Sequence, residues 1–498
     1  MEAQNQTFGP TSPAVSSPPP PSAPPTIPQS FLKTKKKLIL VFLALILLAG
    51  LAFLSKNFLL QRTIGRAPTT ITYWGLFEPE AVFQQVIADY EKEHPEVKIN
   101  YSQENLRDYR ERLQAALTRQ KTSTKSSEAG VTPRQSPDIF RIHQTWIPML
   151  ADYLSPMPAS VYDAASFEQA FYASAKESLR WQSQYLGIPL EVDGLALYYN
   201  EDLFKAAGKV PPQTWGELKK TACQLTVRDS QGKIRTAGIA MGTTNNVDHW
   251  SDILGLMMLQ NGVDPANPAA CSQESGAAVG SEQVCLGRDA LIFYTIFATD
   301  QACQDEEVNV GAVWDQFMPT STYAFSTGMV AMYFGPSWRA FEIKELNPNL
   351  NFKVIAVPQL EGKKIAWSSY WVEAVSKSSA SQTQAWEFLK YLSSEKVMQK
   401  LYQTESVQRG SFGEPYSRVG MADLLKDQPF VSAFIEQAPY AQTWYLCSRT
   451  SDNGINDKII KYYEDAVNAV HKGQNPLSVL TTTTQGVNQV LQQYGLLR

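Results

Sequence analysis

Thr70-Ile71-Thr72-Tyr73-Trp74 reads as a β-strand, with β-branched and aromatic residues crowded into five positions. From Glu78 to Glu93, Val82/Phe83, Val86/Ile87 and Tyr90 recur at helical spacing until His94-Pro95 stops the run. Val97, Ile99 and Tyr101 alternate with polar residues as a second strand. Leu106, Tyr109, Leu113 and Leu117 share one face of a second helix. Beyond the polar loop 121–137, Asp138-Ile139-Phe140-Arg141-Ile142 is a third strand. Strand, helix, strand, helix, strand predicts a parallel sheet covered on both faces, and so an α/β protein.

Working toward the C-terminus, the alternation recurs. Leu195–Tyr199 and Thr236–Met241 are strand-like, and Thr214-Trp215-Gly216-Glu217 is a capping box that opens a helix. Ser251 is expected to cap the apolar helix Asp252–Gln260, which Asn261-Gly262 ends. Met329–Phe334 and Phe352–Val357 are further strands; Ala385–Leu392 and Ile459–Val470 are helices. No repeat of 20–50 residues runs through the chain, which argues against solenoids and propellers. The 498 residues hold too many βα units for one small sheet, and two α/β lobes fit best.

Working toward the N-terminus, composition changes abruptly. Residues 1–68 carry five Lys, two Arg and one Glu, or +6, so the other 430 residues carry −10 of the total −4. Residues 1–30 hold nine prolines and too few apolar groups to offset ordering entropy; they are expected to form a disordered cytoplasmic tail. Within the anchor region 31–60, Lys33-Thr34-Lys35-Lys36-Lys37 precedes seventeen apolar or glycine residues, Leu38–Leu54. That is long enough for one transmembrane helix. A long polar leader and no cleavage signature point to an uncleaved single-pass anchor, and the lysines orient the body outside the cell membrane. Cys271 and Cys285 bound a 15-residue Gly/Ser-rich loop suited to a disulfide, with Cys303 a competitor; Cys223 and Cys447 read as buried thiols.

The body lacks enzyme signatures: there is no phosphate loop, no GxGxxG after a strand, no HExxH and no GxSxG elbow. Four histidines and five cysteines leave little for a metal cluster, and no cofactor or metal is expected. The acidic body excludes broad nucleic-acid binding, which needs a basic face. Asp452–Asp457 reads as a turn and helix cap rather than a calcium loop, because the ligand spacing fails.

Eleven Trp and 22 Tyr are the conspicuous asset, several beside polar residues at predicted strand ends. A pyranose presents an apolar C–H face to an aromatic plane and hydroxyls to planar donors and acceptors, so such a mixture suits sugars. Trp181, Trp215, Trp314 and Trp386 sit on helix-like patterns and are assigned to packing. Trp74, Trp250, Trp338 and Trp371 follow strands or begin loops, where ligands of open α/β sheets bind. His143, Asp248 and Trp250 are candidates from residue chemistry and loop position.

In order along the chain, further segments carry a likeness. They are Ile71–Gly75, Ser136–Phe140, Gly187-Ile188-Pro189-Leu190-Glu191-Val192-Asp193-Gly194 leading to Tyr198-Tyr199-Asn200, Pro212–Leu218, Phe325–Met332, Gly335-Pro336-Ser337-Trp338, and Ala374–Lys377 with Ala385–Leu389. The ordered set resembles the extracellular solute-binding proteins of the maltose-binding type, receptors of ABC importers. The resemblance implies a two-lobed periplasmic-binding-protein type II fold with a hinge, here preceded by the transmembrane helix. Lobe I would comprise 69–190 plus 368–408 and lobe II 191–367 plus 409–498, with crossings near Leu190–Asp193 and Ser368–Glu373. It also implies that Trp74, Asp193, Trp338, Tyr370 and Trp371 face the cleft, with Asp193 accepting hydroxyl hydrogen bonds, and that Arg409 lines it. The expected protein is a monomeric, membrane-tethered receptor, not an enzyme, that hands a sugar or oligosaccharide to ABC permease subunits. A ligand sensor for a signalling partner is the alternative, and a carbohydrate-cleaving enzyme a more distant one.

Overall fold

Thr69–Gly75 is strand β1 of the computed structural model, which describes residues 67–123, 136–272 and 283–497. The expected tail 1–30 and the anchor within 31–60 lie outside the described residues. Among the described residues, no helix is long and apolar enough to cross a membrane.

After β1 come helix α1 (Glu80–Glu93), β2 (Val97–Gln103), α2 (Tyr109–Ser123) and β3 (Ile139–His143). Helix α1 buries Val82, Phe83, Val86 and Tyr90, the spacing read from the sequence, with Glu80 in its first turn and Lys92 in its last to complement the dipole. Next are β4 (Ala196–Asn200), α3 (Trp215–Leu225), β5 (Val227–Arg228), β6 (Ile234–Ile239), α4 (Trp250–Asn261) and α5 (Leu286–Ile296). Then follow β7 (Val330–Gly335), α6 (Arg339–Leu346), β8 (Phe352–Ile355), β9 (Trp371–Val375), α7 (Gln382–Leu392), α8 (Glu395–Arg409), α9 (Ile455–His471) and α10 (Pro476–Gln493).

Two sheets organise these elements. The first has the order β9-β3-β1-β2, with β1 parallel to β2 and β3 and with β9 antiparallel on the edge. The second has the order β8-β4-β7-β6-β5. Only its β6–β7 pair is parallel, so the βα alternation of this half does not make a parallel sheet. Its strands β4 and β8 run against their neighbours, a topology that periodicity cannot register.

The segments expected to be crossings lie side by side: Ile188 pairs with Glu373 and Gly194 with Ser368, both antiparallel, while Glu191 pairs with Tyr416. Gly194 is required there, because a Cβ would stand 1.8 Å from the Trp367 carbonyl oxygen.

Several expectations are corrected. Cys223 is disulfide-bonded to Cys303, beside the expected Cys271–Cys285 bridge, and Cys447 is the buried free thiol. Cys223 lies on α3, and its partner 80 residues on is brought beside it only by tertiary packing. Helix α4 begins at Trp250 with His249 as its cap residue, so Ser251 lies inside it. The Thr214–Glu217 capping box and the Gly262 terminus, at φ 79°, are as read. Trp181 belongs to the short strand Arg180–Trp181 and Trp314 to an irregular segment, although Trp314, Trp215 and Trp386 are buried.

Candidate functional site

Strand ends and crossings together build a cavity of about 480 Å³, in the range of ligand pockets. Phe77 follows β1, His143 ends β3, and Ser369, Tyr370 and Trp371 lead into β9. The second sheet contributes Pro336 and Trp338 after β7 and Phe341 from α6; the expected crossing supplies Glu191, Asp193, Gly194 and Leu195. His249 and Asp252, the end of α8 and the loop 448–451 complete the wall. The cavity therefore opens where strands of both sheets finish.

Six of the nine candidates line this cavity: His143, Asp193, Trp338, Tyr370, Trp371 and Arg409. Asp248 and Trp250 line an adjoining cavity of about 310 Å³ that shares Ser448 and Arg449 with the first. Trp74 lines neither; it remains within β1, packed against the core. Phe77, three residues on, stands at the cavity instead and is 41% exposed.

The aromatic groups occupy distinct settings. Trp371 meets Phe77, His143 and Trp146 edge-on, with centroids 5.2–5.4 Å apart. Trp338 is 39% exposed, with the Arg339 guanidinium 4.3 Å over its ring. Tyr370 is buried, and its hydroxyl lies 3.4 Å from the Ser174 hydroxyl. Phe341 stacks on Phe412 and receives Arg409 on its face.

The polar groups are tightly held. His143 contacts the Thr145 and Ser369 hydroxyls at 2.7 and 3.1 Å, and burial pushes its pKa down to about 3, so the ring is neutral. Burial pushes Asp193 up to about 7, against hydrogen bonds from the Ser337 and Gly194 N–H groups and the Ser337 hydroxyl. Both Asp193 oxygens thus already accept from the chain, which tie the 335–338 turn to the crossing and leave less capacity for ligand hydroxyls than expected. Asp248 is likewise held: burial raises its pKa, but Thr322 hydrogen bonds and the Arg339 and Arg449 charges outweigh it, to about 2.

At the cavity floor lies a buried charge cluster. Arg141 donates to Glu78 at 2.6 Å and Glu373 at 2.7 Å, and Arg409 pairs with Glu414 at 2.5 Å. Glu405 accepts from the Glu414 N–H at 2.7 Å. Burial and then the Glu414 charge push Glu191 well above the carboxylate range and Glu405 up to about 8. Carboxylate oxygens of Glu78, Glu191 and Glu414 lie within 4.8 Å of one another, close enough to hold a cation.

The candidate list omits Phe77, Phe341, Glu191, Glu414 and Arg449. Phe77 was accessible in principle, since it follows the first strand's carboxyl end; Glu414 and Arg449 lie in segments without periodicity.

The model of the family described as bacterial extracellular solute-binding protein matches residues 85–408. The multiple sugar-binding protein of Streptococcus mutans serotype c is 22% identical over 339 residues, 66% of this chain and 71% of that protein. The sugar-binding protein MalE from Xanthomonas citri is 21% identical, with a TM-score of 0.62 over 85% of this chain and 98% of that one. The cyclic α-maltosyl-1,6-maltose binding protein from Arthrobacter globiformis is 16% identical, with a TM-score of 0.63 over 86% and 100%. These likenesses show the two-lobed α/β fold. The family and its neighbours are solute-binding proteins, not enzymes.

Proposed function

The chain belongs to the bacterial extracellular solute-binding proteins, and from that premise we propose that it captures a sugar or oligosaccharide between its lobes and delivers it to an ABC importer. The observation that carries this reading is the cavity itself: exposed faces of Phe77 and Trp338 stand among buried, hydrogen-bonded polar groups. Aromatic faces take the C–H face of a pyranose, and the polar walls take its hydroxyls. His143, Trp338, Tyr370, Trp371 and Arg409 are the contact residues, with Asp193 fixing the turn beside them. Lobe I is 69–190 plus 368–408, lobe II is 191–367 plus 409–498, and the paired crossings act as the hinge. Ligand bound to both lobes favours the closed state by its differential affinity. The N-terminal apolar run holds the monomeric receptor at the membrane, with its body outside.

Titration calorimetry of the full chain against a panel of sugars tests the ligand class. Saturable binding of at least one mono- or oligosaccharide is expected. Binding of a peptide or phosphate ester with no response to any sugar would overturn it.

A further inference from the structure

The buried cluster has more acid than base. Around Glu191 stand Glu78 after β1, Arg141 on β3, Glu373 on β9, Glu405 and Arg409 on α8, and Glu414 beyond it. Five carboxyl groups share two guanidinium groups, and both arginines are already paired: Arg141 with Glu78 and Glu373, Arg409 with Glu414. Glu78 is 1% exposed and its Oε1 accepts no hydrogen bond, with the Arg409 guanidinium no nearer than 3.9 Å. Glu191 accepts from the Trp371 N–H at a long 3.3 Å. Carboxylates this close do not all ionise without further positive charge; burial raises the penalty.

The cluster is not sealed. Glu191 and Glu414 line the 480 Å³ cavity, so the surplus carboxyl groups face any ligand in it. The other acids there are satisfied by the chain: Asp193 by Ser337 and Gly194, Asp252 by the Trp367 indole N–H and the Ser448 N–H. Arg409 serves Glu414, whereas Glu191 forms no ion pair among the described residues and shares a hydrogen bond with the Glu414 carboxyl group, within reach of a bound solute.

We propose that the solute captured here carries a protonated amine, as an amino sugar does, and that its ammonium group docks against Glu191 and Glu414 with the free oxygen of Glu78 behind them. This rests on the sugar reading and narrows it. An ammonium group supplies donors and positive charge together, and charge-assisted hydrogen bonds are the stronger kind. Binding then releases the proton that Glu191 otherwise retains, because ammonium and proton compete for the same carboxylates. A neutral sugar would instead use the protonated carboxyl as a donor and release nothing.

Calorimetry of the full chain with matched pairs tests this: glucosamine against glucose, and glucosamine oligomers against glucose oligomers of the same linkage. The amine member of at least one pair is expected to bind about tenfold tighter or more, with proton release seen as buffer-dependent heat and an advantage that shrinks on acidification. Glu191→Gln and Glu414→Gln, which keep shape and remove the capacity to become charged, should each abolish the preference of the amine over its neutral partner, and a preference that survives both substitutions would overturn the proposal. Equal or tighter binding of the neutral members by the unaltered chain would overturn the proposal and leave the sugar reading intact. Calcium or magnesium chloride alone, raising the melting temperature and displacing glucosamine, would also overturn it by assigning the charge to a metal ion. No binding of any sugar refutes both readings together.

Discussion

Truncating Trp338 to alanine should weaken ligand binding by an amount that the exposed area of its ring sets. The indole is 39% exposed. A tryptophan offers roughly 250 Å² of surface, so about 100 Å² is free for a ligand to cover. At about 25 cal/mol per Å², complete coverage contributes about 2.5 kcal/mol, an upper bound of a little under a hundredfold in Kd. The folded state loses the covered face of the ring, about 150 Å² or at most about 4 kcal/mol by the same coefficient, and its stacking with Arg339, about 1 kcal/mol, so binding is compared on protein shown to be folded. Trp338→Ala should therefore bind the sugar found in the panel at least about tenfold more weakly in calorimetry, with the unfolding transition lowered but the protein still folded at the assay temperature. Trp250→Phe, outside the main cavity, is the comparison. A change under about twofold in Kd for Trp338→Ala, with the protein folded, would refute the claim that this indole contacts the ligand.

Three other outcomes follow from the geometry. The double substitution Cys223→Ser, Cys303→Ser opens an 80-residue loop and should lower stability by about 4 kcal/mol in denaturant unfolding; no change would mean the bridge does not form in solution. Gly194→Ala forces a Cβ onto the Trp367 carbonyl and should cost about 3 kcal/mol or more, or prevent folding; a protein with unchanged melting temperature would contradict the close pairing of the crossings. Asp193 has a raised pKa, so the folded state holds its proton more tightly than the unfolded one; its contribution to stability falls as pH rises from about 4 to about 7. Asp193→Asn should accordingly gain stability relative to the parent across that window, read from paired melts, and equal pH profiles would contradict the assignment.

The fold was readable because its first three strands and two helices carry strong periodicity, and because Thr214, Glu217 and Gly262 use local chemistry to start and end helices. What periodicity could not give was pairing at a distance. The antiparallel placement of β4 and β8 depends on the crossings, and the Cys223–Cys303 bridge depends on which loop meets α3. The candidate site was legible where it follows strand ends, as at His143, Trp338 and Trp371. Trp74 lies outside the cavity because the strand runs on past it to Gly75. Asp193 was found as a cavity residue, but its partners come from Ser337, 144 residues away, so its bonding was invisible. Glu191, Glu405 and Glu414 were three acids among many until the fold gathered them around two arginines.

The central claim is that a sugar is held between the lobes. A crystal structure of the full chain grown with the tightest-binding sugar of the panel tests it most directly. The sugar is expected in the cavity, with a ring face on Trp338 or Phe77 and hydroxyl or amine groups at the Glu191 end. Saturable binding with that cavity empty and the sugar elsewhere on the protein would contradict it.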